Sequence, residues 1–549
     1  MVTEPAIEPV LVIGNGPVGQ SAALLLAAWA IPVILLDARP ARDPIGSKAI
    51  CQQRDVLDIW AHVGAGEQIA AEGLTWTRAV TLYRGRELFT QGFVDRGHSP
   101  FPPFVNISQS RTEQILDERI AAQPLIDVRW GHRVTGIAQD ESGITLRCAI
   151  GMQTDTGASD RFETITGSYA LACVGARGDL VRGLLGLELA GTTFADQLLI
   201  CDVRTDLPDW VHERRFHFDP EWNPGRQVLI HPCPDSTFRI DWQVPPEYDL
   251  AAEEASGALD ARIRRVIGER DYEIVWKSVY RFHSRLVTRM RVGRVLLAGD
   301  AAHLVAPFGA RGLNSGVPDA ENAAWKLAFV LRGWAPPELL ESYHDERHAA
   351  AVENLQVTTA TMRFLVPQDE AQWRERRAIL EAASTDAVAR AQVDSGRLAE
   401  PFWYVDSPLS TPCARRRVPG RPPKGDVPPP CPGVLVPDAP VRDAQGVATR
   451  LRELARRGVS MLVADGVAAD AARAALAGLE APVAVHRIAD LDPDPEARLD
   501  EGGALVGALL GALAPEPGEL WLLRPDAHIA AVLDDVADLR AAVDRLLAR

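Results

Sequence analysis

Short apolar runs recur along this chain, and what separates them changes from one region to the next. Val10-Leu11-Val12-Ile13 is followed at once by Gly14-Asn15-Gly16-Pro17-Val18-Gly19, an Ala/Leu-rich stretch over 21–29, and a second run, 33–36, that ends in Asp37. Short continuous runs bounded by turn residues predict buried strands, and the stretch between them predicts a helix. Residues 169–174 and 295–298 predict two more strands of this kind, and 145–150 predicts a strand that ends a small sheet. Between 185 and 290 the pattern shifts to partial alternation, at 214–218, 228–231 and 238–244, punctuated by Pro224-Gly225 and Pro245-Pro246. That predicts an antiparallel sheet inserted into the surrounding unit. Alternation puts His217 on the face opposite Phe216 and Phe218. Residues 370–400 read as helical and charged, and 406–432 hold nine prolines, a linker composition. Beyond it, 459–464, 483–488 and 519–524 predict strands alternating with Ala-, Leu- and Arg-rich helices, a small α/β layer. The expected class is α/β, divided at 1–184, 185–290, 291–405, 406–432 and 433–549.

Two segments carry chemistry. The strand–Gly-x-Gly-x-x-Gly–helix–strand order is the context a dinucleotide site requires. Gly14 permits the tight turn, Gly16 lets a pyrophosphate approach the backbone, and Gly19 lets helix pack on strand. Asp37, 23 residues after Gly14, suits the adenosine ribose hydroxyls and disfavours a 2′-phosphate, so NADP is not the ligand of this site. The competing reading is a Gly-rich turn in an ordinary α/β protein. The second segment, 297–303 followed by 307–316, ends a strand at Gly299-Asp300 and then makes a Gly-rich turn into a helix near Leu313. A carboxylate there can accept a hydrogen bond from a ribityl hydroxyl. The helix start presents free N–H groups and a positive dipole end, which suits a negatively charged reduced flavin ring.

Together these segments resemble the single-component FAD-dependent aromatic hydroxylases over roughly residues 8–365. The helix stretch Asp319-Ala320-Glu321-Asn322-Ala323-Ala324-Trp325-Lys326-Leu327-Ala328 belongs to the same resemblance, as do 46–50 and 108–113. The resemblance implies cofactor contacts at Gly14, Gly16, Pro17, Gly19, Asp37, Lys48, Gln109, Gly299, Asp300, Gly312, Leu313 and Asn314. Lys48 matches a basic residue near the FAD pyrophosphate, and Gln109 a cofactor-contacting Gln. Residues 276–283 and the long C-terminal extension look closest to the branch that hydroxylates 3-(3-hydroxyphenyl)propionate and related phenols. The implied architecture is a split Rossmann-like FAD-binding domain, an inserted sheet that roofs the substrate pocket, and a thioredoxin-like C-terminal domain. Residues 433–549 contain no Cys, so the thioredoxin reaction is excluded and a structural or associative role remains.

The implied activity uses NAD(P)H and O₂ to hydroxylate a phenolic or related aromatic substrate through a flavin C4a-hydroperoxide. The chain shows no second Gly-x-Gly-x-x-Gly unit for the nucleotide, and the family has none. One motif departs from the family pattern Asp-Gly-Ala-x-Ser: Val174 stands at its Asp and Gly178 at its Ser. Either Asp179 replaces the missing carboxylate or nucleotide handling is altered. Ala310 stands at a usual Gly. Arg311, at a variable position, either stabilises charge at the ring or on a substrate, or is a solvated surface residue. Pro307 and the backbone of 309–312 shape the site over the ring. On the substrate side the candidates are His217, His231 and Tyr280, with Trp242, Arg281 and His283 beside them; for each His the alternative is a structural or exposed role. A flavin oxidase or dehydrogenase, or a non-catalytic FAD-binding protein, is the alternative to the hydroxylase.

Composition narrows the field. At 549 residues, 47% hydrophobic and 24% charged, the chain is an ordinary globular protein, with ~3–4 domains expected from length. A net charge of −16 argues against nucleic acid, and Arg415-Arg416-Arg417 reads as a solvated stretch. The apolar stretch 10–36 is broken by Asn15, Gly16 and Pro17. The stretch 502–515 is too short for a span and, with Gly503, Gly507 and Gly511 at spacing four, predicts close helix packing. Seven Cys without a Cys-x-x-Cys pair, and no signal peptide, predict a cytoplasmic protein with reduced thiols and no metal site. Self-association into a homo-oligomer is also expected, with no membrane partner.

Overall fold

The computed structural model describes residues 7–46, 48–92, 99–151, 161–417, 420, 428–463, 469–491, 498–499, 505–506, 508–516 and 518–549. Its centre is a six-stranded sheet in the order Arg291–Val292, Val295–Leu297, Ala170–Ala172, Val10–Ile13, Val33–Leu36 and Ile126–Arg129. All pairs are parallel except the outermost, 291–292 with 295–297. Strands far apart in sequence thus share one sheet, with residues from 10 to 297 side by side. Continuous apolar runs suit these strands because helices cover the sheet. The helix Pro17–Ala28 is buried from Gly19 to Ala27 and lies against the long helix Arg311–Leu331. Small residues permit this: a Cβ on Gly316 would lie 2.7 Å from Val18 Cγ2. Ile144–Ile150 is the middle strand of a separate three-stranded sheet with His132–Gln139 and Phe162–Gly167.

The second large sheet corrects the expected insert in two ways. It has eight strands, in the order His303–Leu304, Glu273–Val287, Leu189–Arg204, Thr237–Val244, Gln227–Cys233, Glu213–Phe218, Arg78–Tyr83 and Arg86–Gly92. Three of these strands lie outside 185–290. The sheet is also mixed, because Glu213–Phe218 runs parallel to Arg78–Tyr83. The alternation inside 185–290 reports a half-covered strand but is silent about a neighbour more than 100 residues upstream.

The two faces of this sheet differ. Leu199, Val228, Ile230, Ile240 and Trp242 pack under Leu259, Ile263 and Ile267 of the helix Ala258–Ile267. Leu198, Ile200, Phe216, Phe218, Leu229 and Phe282 form the other face, against Phe308 of the Gly-rich turn.

The C-terminal residues form a four-stranded mixed sheet in the order Val483–Arg487, Val459–Val463, Leu520–Leu523 and Ile529–Leu533. The strand 529–533 was not anticipated. The unit is not a detached module. Trp325, Phe329, Ala335 and Leu339 share one core with Val459, Met461, Leu522 and Leu546. Part of the Pro-rich connection is laid on the new unit, with Thr411 N bonded to Ala530 O and Gly433 N to Ile529 O. Residues 418–419 and 421–427 fall outside the described residues. The glycine-spaced stretch is not one packed helix: Leu505–Val506 is a strand and Ala508–Leu513 a short helix. A Cβ on Gly511 would meet nothing within 4 Å, and Gly503 and Gly507 lie outside the described residues. Among the described residues no helix is long and apolar enough to cross a membrane, and no group of side chains suits a metal.

Candidate cofactor and substrate site

The first turn is built as its glycines require. Gly14 has φ 109°, and a Cβ there would lie 2.4 Å from Cys173 O. A Cβ on Gly19 would lie 1.8 Å from Gly14 O, whereas on Gly16 it would meet nothing within 4 Å. The backbone is therefore packed tightly on the protein side and open on the other, which fits a pyrophosphate. Pro17 opens the helix, where its missing N–H costs nothing. Asp37 caps the second strand. Its carboxylate accepts from Asn15 N at 2.9 Å and from Arg39 Nε and Nη2 at 3.0 and 2.9 Å. Burial raises this carboxyl, but Arg39 and the Asn15 amide outweigh it and hold it below its ordinary value.

Arg39 and Arg42 were not singled out in the sequence. Both reach Asn15 O, at 3.1 and 2.7 Å, and Arg42 also pairs with Glu113 at 2.9 Å and Asp117 at 2.6 Å. They clamp the Gly-rich turn from the loop after Asp37. A lone Arg in a loop gives no pattern to read. Gln109 closes the same region: its Oε1 accepts from Ala49 N at 3.1 Å and its Nε2 donates to Glu113 at 2.9 Å. Lys48 is exposed, with its charge felt at Asp300.

Gly299 and Asp300 follow the strand Val295–Leu297, and Gly299 takes φ 60°. Asp300 has no hydrogen-bond partner among the described residues; burial raises its carboxyl against the pull of His303, Lys48 and Arg182. A half-buried carboxylate without a partner fits a polyol. The helix Arg311–Leu331 begins beside it with no side-chain cap, leaving its first N–H groups, at Gly312 and Leu313 among them, free of side-chain acceptors. Asn314 contributes differently from expectation. Its side chain accepts from Gln53 N at 2.9 Å and donates to Cys51 O and Ala310 O at 2.8 and 2.6 Å, so only its backbone is left for a ligand. Arg311 is not a solvated residue. It is buried, bonded to Asn354 Oδ1 at 2.6 Å and to Arg397 O and Leu398 O at 3.2 and 3.1 Å. Pro307 is exposed at the turn.

On the roof sheet, the register separates the candidates. His217 pairs with Val228, and Val228 with Trp242. Both His217 and Trp242 therefore lie on the helix-covered face, away from Phe308; the His217 ring packs tilted against Trp222, and burial depresses its imidazole to about 4. His231 and Tyr280 lie on the other face. Tyr280 pairs with Leu198 and is close enough to Asp300 for that charge, after burial, to raise its phenol. His283 bonds Thr193 Oγ1 at 3.0 Å. Beneath Lys48 sits a polar cluster that the sequence did not reveal. Arg239 forks onto Asp202 at 2.8 and 2.9 Å and donates to Lys48 O at 3.0 Å. His231 Nε2 lies 3.8 Å from Asp241 Oδ2. Asp241 Oδ1 and His231 Nδ1 are buried without partners. Burial pushes the Asp241 carboxyl up to about 7, against Arg239 and Arg214. Burial, then Arg214 and Arg239, push the His231 imidazole well below its ordinary value.

At the departing motif, Val174 packs so close to Gly178 that a Cβ there would lie 2.3 Å from Val174 Cγ2. Asp179 begins a short helix with its side chain 91% exposed and paired to Arg182 at 2.6 Å. Arg182 is buried and donates to Ala176 O and Ala301 O, joining this motif to the residue after Asp300.

A pattern for the FAD binding domain matches residues 8–358. The chain is 31% identical over 360 residues to a 3-(3-hydroxy-phenyl)propionate/3-hydroxycinnamic acid hydroxylase of Comamonas testosteroni, covering 63% of this chain and 57% of that protein. It is 31% identical over 369 residues to a rifampicin monooxygenase of Streptomyces venezuelae, covering 65% and 71% respectively. Among solved structures, the flavin-dependent monooxygenase PieE, in complex with FAD and substrate, superposes with a TM-score of 0.81 at 24% identity over 99% of this chain and 100% of that one.

Proposed function

Because the chain belongs to the single-component FAD-dependent aromatic hydroxylase family and is related to its 3-(3-hydroxyphenyl)propionate hydroxylase branch, we propose that it uses NAD(P)H and O₂ to hydroxylate a phenolic or related aromatic substrate. The observation that carries this reading is the partnerless Asp300 at the foot of an uncapped helix, within electrostatic reach of Tyr280 on the sheet above. Bound FAD would supply the redox chemistry, taking two electrons from the nucleotide and activating O₂. The residues of this chain supply the rest. Gly14, Gly16 and Gly19 hold the pyrophosphate, Arg39 and Arg42 fix the turn around it, and Asp300 binds the ribityl chain. Gly312 and Leu313 present amides to the ring. The face carrying Tyr280, Phe216, Phe218 and Phe282 excludes water and seats the aromatic substrate. Asp241 and His231, 3.8 Å apart on the same face, are the candidate acid–base pair for the phenol proton, whose removal would raise the nucleophilicity of the ring. The C-terminal unit is a thioredoxin-like fold without its thiols.

An oxidase or dehydrogenase is the second reading, favoured by Val174 and by the outward-turned Asp179 alone. Anaerobic stopped-flow reduction by NADH and by NADPH, with and without a panel of phenols, separates the two. A phenol that speeds reduction many-fold and returns from air with one added oxygen supports the hydroxylase. Peroxide formed from an organic substrate without nucleotide would replace it with the oxidase. Asp300→Ala is expected to lose FAD on desalting while the C-terminal unit stays folded; a fully yellow variant would move the ribityl site elsewhere.

A further inference from the structure

A buried chain of polar contacts runs from the C-terminal sheet to the turn that carries Asp300. It begins at Arg524, just after the strand Leu520–Leu523. Arg524 forks onto Glu346 at 2.5 and 2.9 Å and onto Asp526 at 3.0 and 2.7 Å. Glu346 also accepts from Lys326 Nζ at 2.6 Å and from Asn322 Nδ2 at 2.8 Å. The Tyr404 ring lies 4.6 Å from the Arg524 guanidinium, and the Tyr404 hydroxyl accepts from Arg347 Nη1 at 2.9 Å. Arg347 Nε donates to Asp319 Oδ1 at 2.6 Å. Asp319 Oδ2 then accepts from Gly299 N at 2.9 Å and faces His303 Nε2 at 2.7 Å. The side chains of Arg524, Glu346, Arg347 and Asp319 are all almost wholly buried.

Stability alone does not call for such a chain. Buried ion pairs lose most of their attraction to desolvation, and packed apolar residues do as well or better. The C-terminal unit is in any case docked by other means. Trp325 and Phe329 lie in its core, Arg452 pairs with Asp55 and Asp58 at 2.9 and 2.5 Å, and Arg456 pairs with Glu321 at 2.6 Å. What ion pairs give that apolar packing does not is a fixed orientation at their far end. That end is Gly299, held at φ 60°, beside a carboxylate that no side chain of the described residues holds.

We propose that Arg524 and Asp526, acting through Glu346, Tyr404 and Arg347, are positioning residues for the Gly299–Asp300 turn, so that the C-terminal unit is a working part of the cofactor site. The proposal rests on the FAD reading above. It gives the Cys-free C-terminal unit a task that needs no thiol. It also explains why Asp319, Asn322 and Lys326, on one helix, are all buried.

The test compares three full-length proteins with the wild type. Tyr404→Phe removes one hydroxyl and keeps the ring. Arg524→Gln with Glu346→Gln removes the fork; because it also takes the ion-pair partners from Lys326 and Asp526, its readouts are compared at matched loss of Tm. Leu522→Ala weakens the C-terminal core without touching the chain of contacts. The readouts are the FAD dissociation constant, the visible flavin spectrum, and hydrogen exchange of the Gly299 amide in the apoprotein. The two relay variants are expected to bind FAD about tenfold more weakly, to shift the flavin spectrum and to exchange the Gly299 amide faster. Leu522→Ala, at an equal or larger loss of Tm, is expected to leave all three unchanged. Relay variants with wild-type FAD affinity and wild-type Gly299 exchange would overturn the proposal, as would a Leu522→Ala protein that matched them. A wild-type chain that takes up no FAD would overturn the functional reading instead, and the Gly299 exchange would still decide the relay.

Discussion

Ala310 turns left-handed, at φ 56°, at the head of the long helix, a place where an L-residue with a Cβ is strained by about 1–2 kcal/mol. Glycine adopts that conformation freely, although it loses more entropy on folding. Ala310→Gly is therefore expected to stabilise the protein by about 1 kcal/mol, read as a raised denaturation midpoint at unchanged slope. Asp241 is strained electrostatically. Its carboxyl is raised from 3.8 to about 7, so the folded chain keeps a proton that the unfolded chain releases. Stability contributed by that proton is present below about pH 4 and declines as the pH rises to about 7. Asp241→Asn is expected to flatten the decline in a pH series of urea melts; a slope unchanged by the substitution would place the raised group elsewhere. Residue roles were the hardest thing to read from the sequence. Alternation correctly separated His217 from Phe216 and Phe218, but it cannot say which face looks toward the cofactor. His217 and Trp242 were thus candidates that the helix Ala258–Ile267 covers. Arg239, Asp202 and Asp241 are charged residues in strands, unreadable as a cluster until the register joins them.

The elements were more legible where one local rule decides them. The strand Val10–Ile13, the helix Pro17–Ala28 and the strand Val33–Leu36 follow from run length and glycine spacing, since a buried parallel strand needs both faces apolar. The strand Ile529–Leu533 was missed because Ala530 and Ala531 give it little β character; it forms because Leu520–Leu523 pairs on one side and Thr411, Gly433 and Val434 bond its start on the other. Gly19 illustrates the strength of the local rule. Gly19→Ala would drive a Cβ to 1.8 Å from Gly14 O, so helix and strand must part. The variant is expected to be purified colourless and with a lower Tm than the wild type. The long helix Arg311–Leu331 carries Pro318, whose absent N–H falls on Asn314, and Asn314 spends its side chain on the strand Cys51–Gln53. One element thereby fixes both the Gly-rich turn and the loop after Lys48.

At the scale of the molecule, the nine prolines between 406 and 432 suggested two bodies on a tether, and the structure shows one shared core. Composition describes the connection but not what it connects. Removing 433–549 would uncover Trp325 and Phe329 and leave Glu346, Glu321 and Asp58 without Arg524, Arg456 and Arg452. Losing one partner of a buried pair costs about 3–5 kcal/mol. The truncated chain is expected to be insoluble, and a soluble yellow fragment would contradict the shared core. The same pairs set an acid limit. Burial raises the Glu346 carboxyl, but Arg524 and Lys326 outweigh it and hold it far below its ordinary 4.5. Its contribution is therefore complete above about pH 4.5 and lost as the pH falls, and Glu346→Gln is expected to shallow the acid limb of a stability–pH curve.

The parallel pairing of Glu213–Phe218 with Arg78–Tyr83 has a practical reach for recombination. A chimera that swaps 185–290 from a relative would graft five strands of the sheet onto three native ones whose register they must still match, two of which contribute to the aromatic face. Crossover points that keep all eight strands together lie before residue 78 and after residue 304, a block more than twice as long as the insert itself, and one that also carries four strands of the six-stranded sheet.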